Sequence, residues 1–139
     1  MPLPDAVRPP AKAQLFEPGD HGSTFGGNPV TTAAALAAIK FIEIQKILHK
    51  VEKQGAYLMQ ELAVIPGVAE VRGAGLLIGL TLDAPIAKTL TKKCQKSGAL
   101  INAPGESTIR LAPALNVSMK QAEKFVAIFA KAMKEVSHV

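Results

Sequence analysis

The sequence is poor in aromatic residues and in charge. It has no Trp and one Tyr among 139 residues, and charged residues make up only 19%. The net charge of +5 comes from scattered cations without interleaved aromatic residues, which is typical of a solvated face and argues against nucleic-acid binding. Because 48% of the residues are hydrophobic, we expect one packed domain and exclude a disordered chain.

Cysteine and long hydrophobic runs are also scarce. Cys94 is the single cysteine, so an internal disulfide is excluded and a reducing compartment is expected. We expect Cys94 to be a structural, semi-buried thiol. The sequence contains no metal-ligand set. The longest apolar run, residues 33–39, is far shorter than the roughly 18 residues of a membrane span. No leader pattern opens the chain. These absences predict a soluble, cytoplasmic protein with no metal or membrane partner.

The distribution of proline indicates three segments. Six of the ten prolines fall within residues 1–29, which predicts an extended arm ending in a glycine-rich loop. A helical pattern occupies residues 30–62, with Asn28 as N-cap and Pro29 in the first helical position. One helix of that length would exceed the width of the domain, so we expect a break near residues 43–46. Residues 63–139 are predicted to form a small domain of their own.

The two halves of the helical segment differ in polarity. Eight of the ten residues from Val30 to Ile39 are apolar, so every face of this half needs cover from a missing domain or a partner subunit. The second half is amphipathic, and Gly55 is its one weak point because glycine lowers helix stability.

The last segment predicts an α+β fold with two layers: a mostly antiparallel sheet of three or four strands, with helices on one face. Strand patterns cover residues 68–72, 76–82, 99–102 and 108–112, and Gly73 to Gly75 permit a bulge or bend between the first two. Helices are predicted at 85–97 and after a capping-box spacing from Ser118 to Gln121. The residues predicted to face the core are Leu76, Ile78, Leu80, Leu82, Ile109, Leu111, Ala122, Phe125, Val126, Phe129, Ala132, Met133 and Val136.

The densest group of special residues is the loop from Gly19 to Pro29. Adjacent hydroxyls at Ser23 and Thr24, a Gly26-Gly27 pair and a helix N-terminus meet there. Backbone N–H groups, hydroxyl donors and the helix dipole together suit a phosphate or carboxylate, although a capped helix after a glycine-rich loop has the same pattern. The loop is not a P-loop, because G-x-x-x-x-G-K-[ST] is absent.

Three motifs carry a family resemblance. The loop Gly19-Asp20-His21-Gly22-Ser23-Thr24-Phe25-Gly26-Gly27-Asn28-Pro29, the stretch Gly73-Ala74-Gly75-Leu76-Leu77-Ile78-Gly79 and the stretch Ile109-Arg110-Leu111-Ala112-Pro113-Ala114-Leu115-Asn116 resemble class III pyridoxal-phosphate aminotransferases in order and spacing. The likeness extends from about Ala11 to Val136. It implies the small C-terminal domain of a fold-type I enzyme, and a parent activity that moves an amino group between N-acetylornithine and 2-oxoglutarate in arginine biosynthesis.

The resemblance also implies roles for three residues. In the family this loop reaches across a dimer to the cofactor phosphate of the other subunit, so Thr24 would be the main phosphate ligand and Ser23 its neighbour. Arg110 matches an arginine near the substrate carboxylate, where a guanidinium can pair in bidentate fashion. A surface ion pair is the plainer role for an arginine on a strand, and Asn28 is a structural cap on either interpretation.

The match leaves out part of the family's site. The Schiff-base lysine belongs to a large upstream domain, and Lys12, the one lysine ahead of the loop, does not match it. We therefore expect the polypeptide alone to be no competent transaminase and to need a homodimer or large-domain partner. Two alternatives stay open: another class III member, of the ornithine or succinylornithine type, or a non-catalytic split subunit.

Overall fold

A computed structural model describes residues 24–137 of the chain. The described part divides into two compact units, one ending at Lys40 and one beginning at Phe41. The elements are α1 (Pro29–Ile44), α2 (Ile47–Ala63), β1 (Val68–Ala74), β2 (Leu77–Leu82), α3 (Ala87–Lys96), β3 (Thr108–Leu111) and α4 (Met119–Ser137). None of the helices in residues 24–137 is long and apolar enough to cross a membrane.

The expected break in the helical segment is confirmed between α1 and α2. Lys46 adopts a left-handed backbone with φ of 50°, and its N–H donates to the carbonyl of Glu43 at 3.0 Å instead of continuing the helical ladder. No glycine or proline marks this position, so the local sequence gives little warning of it. The N-cap is confirmed as well, because Asn28 Oδ1 accepts bonds from the N–H groups of Val30 and Thr31.

The sheet has three antiparallel strands in the order β1-β2-β3, in agreement with the predicted fold class. β1 and β2 form a hairpin in which Ala74 pairs with Leu77, so Gly75 and Leu76 make the turn. The glycines therefore serve the expected bend, whereas the irregularity in register falls elsewhere, between Val68 and Glu70.

The core lies between one face of the sheet and helices α2, α3 and α4. The inward alternation predicted for β2 and β3 is confirmed, and every side chain assigned to it is buried. α4 buries most of its predicted stripe, although Phe125 and Val126 are half-buried at its edge. The capping box at its start is present: Ser118 Oγ accepts from the Gln121 N–H at 3.2 Å, and Gln121 Oε1 accepts from the Ser118 N–H at 2.8 Å.

The strand predicted over residues 99–102 is wrong. The Ala99 N–H donates to the carbonyl of Cys94, which ties the start of the segment to the end of α3. Only Asn102 reaches β3, where it exchanges two backbone bonds with Arg110 at 2.8 and 3.3 Å. The segment is therefore one isolated bridge beside β3, and the sheet in the described residues has three strands.

Gly55 has a structural role that its helix propensity conceals. It is buried in α2, and a Cβ at this position would lie 2.1 Å from the carbonyl oxygen of Gly75 in the hairpin turn. Gly75 itself has a left-handed backbone with φ of 54°. Only glycine leaves room for the backbone of α2 to contact the backbone of the hairpin turn. Gly55, which helix propensity marks as a weak point of α2, is therefore the residue that allows this packing.

Candidate functional site

The loop that precedes α1 leaves a hydroxyl and a glycine turn facing solvent. Residues 24–27 form a turn in which Thr24 is exposed. Gly27 has a left-handed backbone with φ of 72°, and a Cβ built on it would meet no atom of residues 24–137 within 4 Å. An oxyanion can therefore approach this backbone from outside. Ser23, the other predicted ligand, lies outside the described residues.

The polar groups at the start of α1 are mostly engaged in capping. Asn28 Oδ1 accepts hydrogen bonds from the N–H groups of Val30 and Thr31 at 3.0 and 3.1 Å. The hydroxyls of Thr31 and Thr32 both donate to the Asn28 carbonyl. These bonds fix the start of α1, and they do not involve the Thr24 hydroxyl.

Arg110 lies on the face of the sheet opposite the core. Its neighbours along β3, Ile109 and Leu111, are buried, so the alternation of the strand turns Arg110 outward, where it is exposed. Two backbone bonds to Asn102 hold its main chain on one side, and pairing with Gly79 holds it on the other. The main chain is therefore fixed, and a guanidinium that extends from it can meet a carboxylate with two parallel N–H donors.

A second arginine lies on the same outer face. Arg72 in β1 pairs with Gly79 of β2, which in turn pairs with Arg110 of β3, so the three residues form one row across the sheet. Arg72 Nη1 donates to Glu70 Oε2 and to Thr81 Oγ1, both at 2.9 Å. These contacts hold its side chain along the strand. The sequence gives Arg72 no site signal, and Gly79 only ends the stretch that begins at Gly73, because the row exists only once the strands are paired.

Cys94 belongs to the core rather than to a site. Its side chain is fully buried in α3, and burial raises the pKa of the thiol to about 11. A thiol with a raised pKa stays protonated near neutral pH and is a poor nucleophile. The structure agrees with the predicted structural thiol, although Cys94 is fully buried and not semi-buried.

An apolar pocket of about 110 Å³ lies on the helical side of the sheet. Its walls include Leu58 of α2, Leu111 at the end of β3, and Phe125 of α4. Neither Thr24 nor Arg110 lines it. Thr24 belongs to the unit that ends at Lys40 and Arg110 to the unit that begins at Phe41, so the two predicted site residues occupy separate units.

The fold and the exposed groups define a class of domain. A three-stranded antiparallel sheet backed by three helices carries an outward arginine, and a capped helix preceded by a hydroxyl-bearing glycine turn stands before it in the chain. This combination is that of a small α+β domain with an exposed hydroxyl and an exposed arginine on separate elements. The family model for Aminotransferase class-III matches residues 1–133, and the chain belongs to that family.

The curated relatives are similar over most of this chain but are much longer. Acetylornithine aminotransferase of Streptomyces coelicolor is 41% identical over 128 residues, which is 91% of this chain and 32% of the relative. The enzyme of the same name from Corynebacterium efficiens is 39% identical over 125 residues, covering 90% of this chain and 31% of the relative. The chain therefore spans about a third of the length of the relatives it matches.

Solved structures agree with this assignment. Acetylornithine aminotransferase from Elizabethkingia anophelis has a TM-score of 0.77 at 33% identity, covering 86% of this chain and 33% of that one. Ornithine δ-aminotransferase of Plasmodium falciparum has a TM-score of 0.77 at 30% identity, covering 88% and 33%. The expected family and fold are confirmed.

Proposed function

We propose that the chain is the C-terminal part of an acetylornithine aminotransferase-like enzyme that works in arginine biosynthesis. The parent reaction transfers an amino group between N-acetylornithine and 2-oxoglutarate, and pyridoxal phosphate supplies the electron sink for that transfer. The observation that carries the proposal is the exposed Thr24 turn in front of a helix capped by Asn28, in a chain about 40% identical to acetylornithine aminotransferases.

Thr24 is proposed to bind the cofactor phosphate of a neighbouring subunit, with Ser23 beside it. The fit rests on the exposed hydroxyl of Thr24 and on the open space around Gly27, which together admit an oxyanion from outside the chain. Asn28 remains a structural residue, since its side-chain oxygen already accepts two backbone bonds.

Arg110 is proposed to orient a substrate carboxylate. Its outward position and its fixed main chain support this role, because the planar guanidinium fork offers paired donors to a carboxylate. A lysine at this position would keep the charge but lose the two-point geometry, so Arg110→Lys distinguishes orientation from simple attraction.

The chain is proposed to work with a large-domain partner in a homodimer. No residue of α1 is buried in the described structure, and Val30, Leu36 and Ile44 are all exposed. Apolar surface of this extent on one helix is typical of a face that another domain or subunit covers. The lysine that holds the cofactor covalently is assigned to that partner, so we expect the 139-residue polypeptide assayed alone to show no transamination.

The test is a chimera in which this chain replaces the matched C-terminal third of the Streptomyces coelicolor enzyme. We expect the chimera, checked for folding by circular dichroism and gel filtration, to transaminate with N-acetylornithine and 2-oxoglutarate. Thr24→Val should weaken pyridoxal-phosphate binding by about tenfold or more, because one hydrogen bond to a charged group is lost. Thr91→Val is the matched control, since the Thr91 hydroxyl donates to the Ala87 carbonyl within α3.

Donor choice separates the main proposal from its alternative. Ornithine aminotransferases are among the similar structures, so the chimera should be assayed with ornithine and with N-succinylornithine as well. Preference for N-acetylornithine supports the proposal, and preference for either of the others would replace it. A folded chimera without any transaminase activity would instead favour a non-catalytic subunit.

A further inference from the structure

Gly79 has no structural reason to be glycine. It lies in the middle of the central strand, where its pairing with both neighbouring strands continues without a bulge. The three atoms nearest to a Cβ at this position all belong to Arg72, at 3.7–3.9 Å, which is ordinary van der Waals contact. Glycine in a strand interior lowers stability, and where no bend needs it, it often marks a place that a ligand or another backbone approaches closely.

The two arginines flank this glycine on the outer face. Arg72 and Arg110 are the direct cross-strand partners of Gly79, so their main chains lie about 10 Å apart, or two strand spacings. Both side chains are exposed and long enough to reach a group resting above Gly79. Gly79 itself contributes no side chain between them, and the stem of Arg72 passes beside it, with Cγ and Nε 3.7 and 3.8 Å from the point that a Cβ would occupy.

Two hydrogen bonds hold the Arg72 side chain beside Gly79. Its Nη1 is bonded to Glu70 and Thr81, which leaves the Nε and Nη2 hydrogens outside those two bonds. Arg72 Nε lies 3.8 Å from the point that a Cβ of Gly79 would occupy. With the negative charge of Glu70 included, the two arginines still leave this patch with a net charge of +1.

We propose that Gly79 and Arg72 complete a carboxylate site with Arg110, in which one carboxylate of a 2-oxo acid rests on the backbone of Gly79 between the two guanidiniums. Gly79 is then a specificity-determining residue, because a methyl group there would keep the carboxylate away from the backbone of the strand. Arg72 is the second guanidinium of the site, positioned by Glu70 and Thr81. The identity of the ligand as a 2-oxo acid rests on the proposed function, whereas the row itself rests on the pairing of the strands.

The test is titration of the full 139-residue chain with 2-oxoglutarate at constant ionic strength, followed by amide chemical shifts. We expect saturable shifts at Gly79 and at its cross-strand partners. Gly79→Ala and Arg72→Met should each raise the dissociation constant about fivefold or more, as expected for losing close contact with a charged group. Gly105→Ala and Lys88→Met are the matched controls, because the first adds a Cβ in ordinary contact and the second removes an exposed, ion-paired cation.

The outcomes separate this site from the proposed function. If Gly79→Ala binds as the wild type does, or if the wild-type chain shows no saturable shift, the carboxylate site is wrong even when the chimera transaminates. If binding depends on Gly79 and Arg72 while the folded chimera is inactive, the site stands as a carboxylate site and the transaminase proposal fails. The KM for 2-oxoglutarate of the Gly79→Ala chimera is the second measurement: it should rise with kcat little changed, and an unchanged KM would contradict the site.

Discussion

Replacing Gly55 by alanine is expected to destabilise the domain, although helix propensity alone predicts the opposite. Alanine in a helix interior is more favourable than glycine by about 1 kcal/mol. At this position, however, the new methyl carbon would lie 2.1 Å from the Gly75 carbonyl oxygen, so helix and turn must separate by roughly 1 Å to reach normal contact. Overpacking of this kind costs about 1–3 kcal/mol or more, and the obstacle here is backbone, which cannot rotate away.

We therefore expect a net loss of about 2 kcal/mol in the free energy of unfolding, or about 1 M in the urea midpoint for a domain of this size. Tyr57, the single tyrosine of the chain, lies in α2 and reports unfolding by its fluorescence alongside far-UV circular dichroism. Ala56→Gly on the exposed side of α2 should lower stability by about 1 kcal/mol through propensity alone. A Gly55→Ala variant as stable as the wild type, or more stable, would refute the packing of α2 on the hairpin turn.

Three further perturbations test the local account. Lys46→Gly should raise the free energy of unfolding by about 1 kcal/mol, because glycine adopts the left-handed backbone of this position without strain. Lys50→Gly within α2 should lower the free energy of unfolding by a similar amount. Urea titration compares the two variants, and equal effects would contradict the helix break. Ser118→Ala should cost about 1 kcal/mol through loss of the α4 cap, and Lys120→Ala, which leaves the cap intact, should change the midpoint little. Because burial raises the pKa of Cys94 to about 11, the unfolded thiol ionises first, so its contribution to stability is fully present below the ordinary thiol pKa and is lost as pH rises towards 11. The stability gap between wild type and Cys94→Ala, measured by urea titration, should shrink over that range, and a constant gap would contradict the assignment.

The fold was largely predictable because its signals are local. Alternation of apolar residues in β2 and β3 fixes their inward faces, and the spacing of Ser118 and Gln121 is sufficient to locate the start of α4. The failed strand at residues 99–102 shows the limit of this reasoning. Its apolar residues suit a strand, but a backbone bond from Ala99 to the end of α3 decides the path of the chain, and such a bond leaves no periodic signal.

The site was predictable only in part. The Thr24 loop and Arg110 could be singled out because each belongs to a compact motif that resembles a known family. No role could be predicted for Arg72 or for Gly79, although Gly79 ends one of the family motifs, since their relation to Arg110 depends on the register of three strands. Gly55 was misread for a similar reason: its contact with Gly75 joins two elements about 20 residues apart in the chain.

The most direct test of the central claim is to load the chimera with pyridoxal phosphate, reduce it with borohydride and map the labelled peptide. The account predicts one saturable adduct on a lysine of the large domain, with none in the 139 residues of this chain, and weaker loading when Thr24 is replaced by valine. A single stoichiometric adduct on a lysine of this chain would contradict the account, because the chain would then hold the cofactor covalently itself instead of supplying groups to a partner's site.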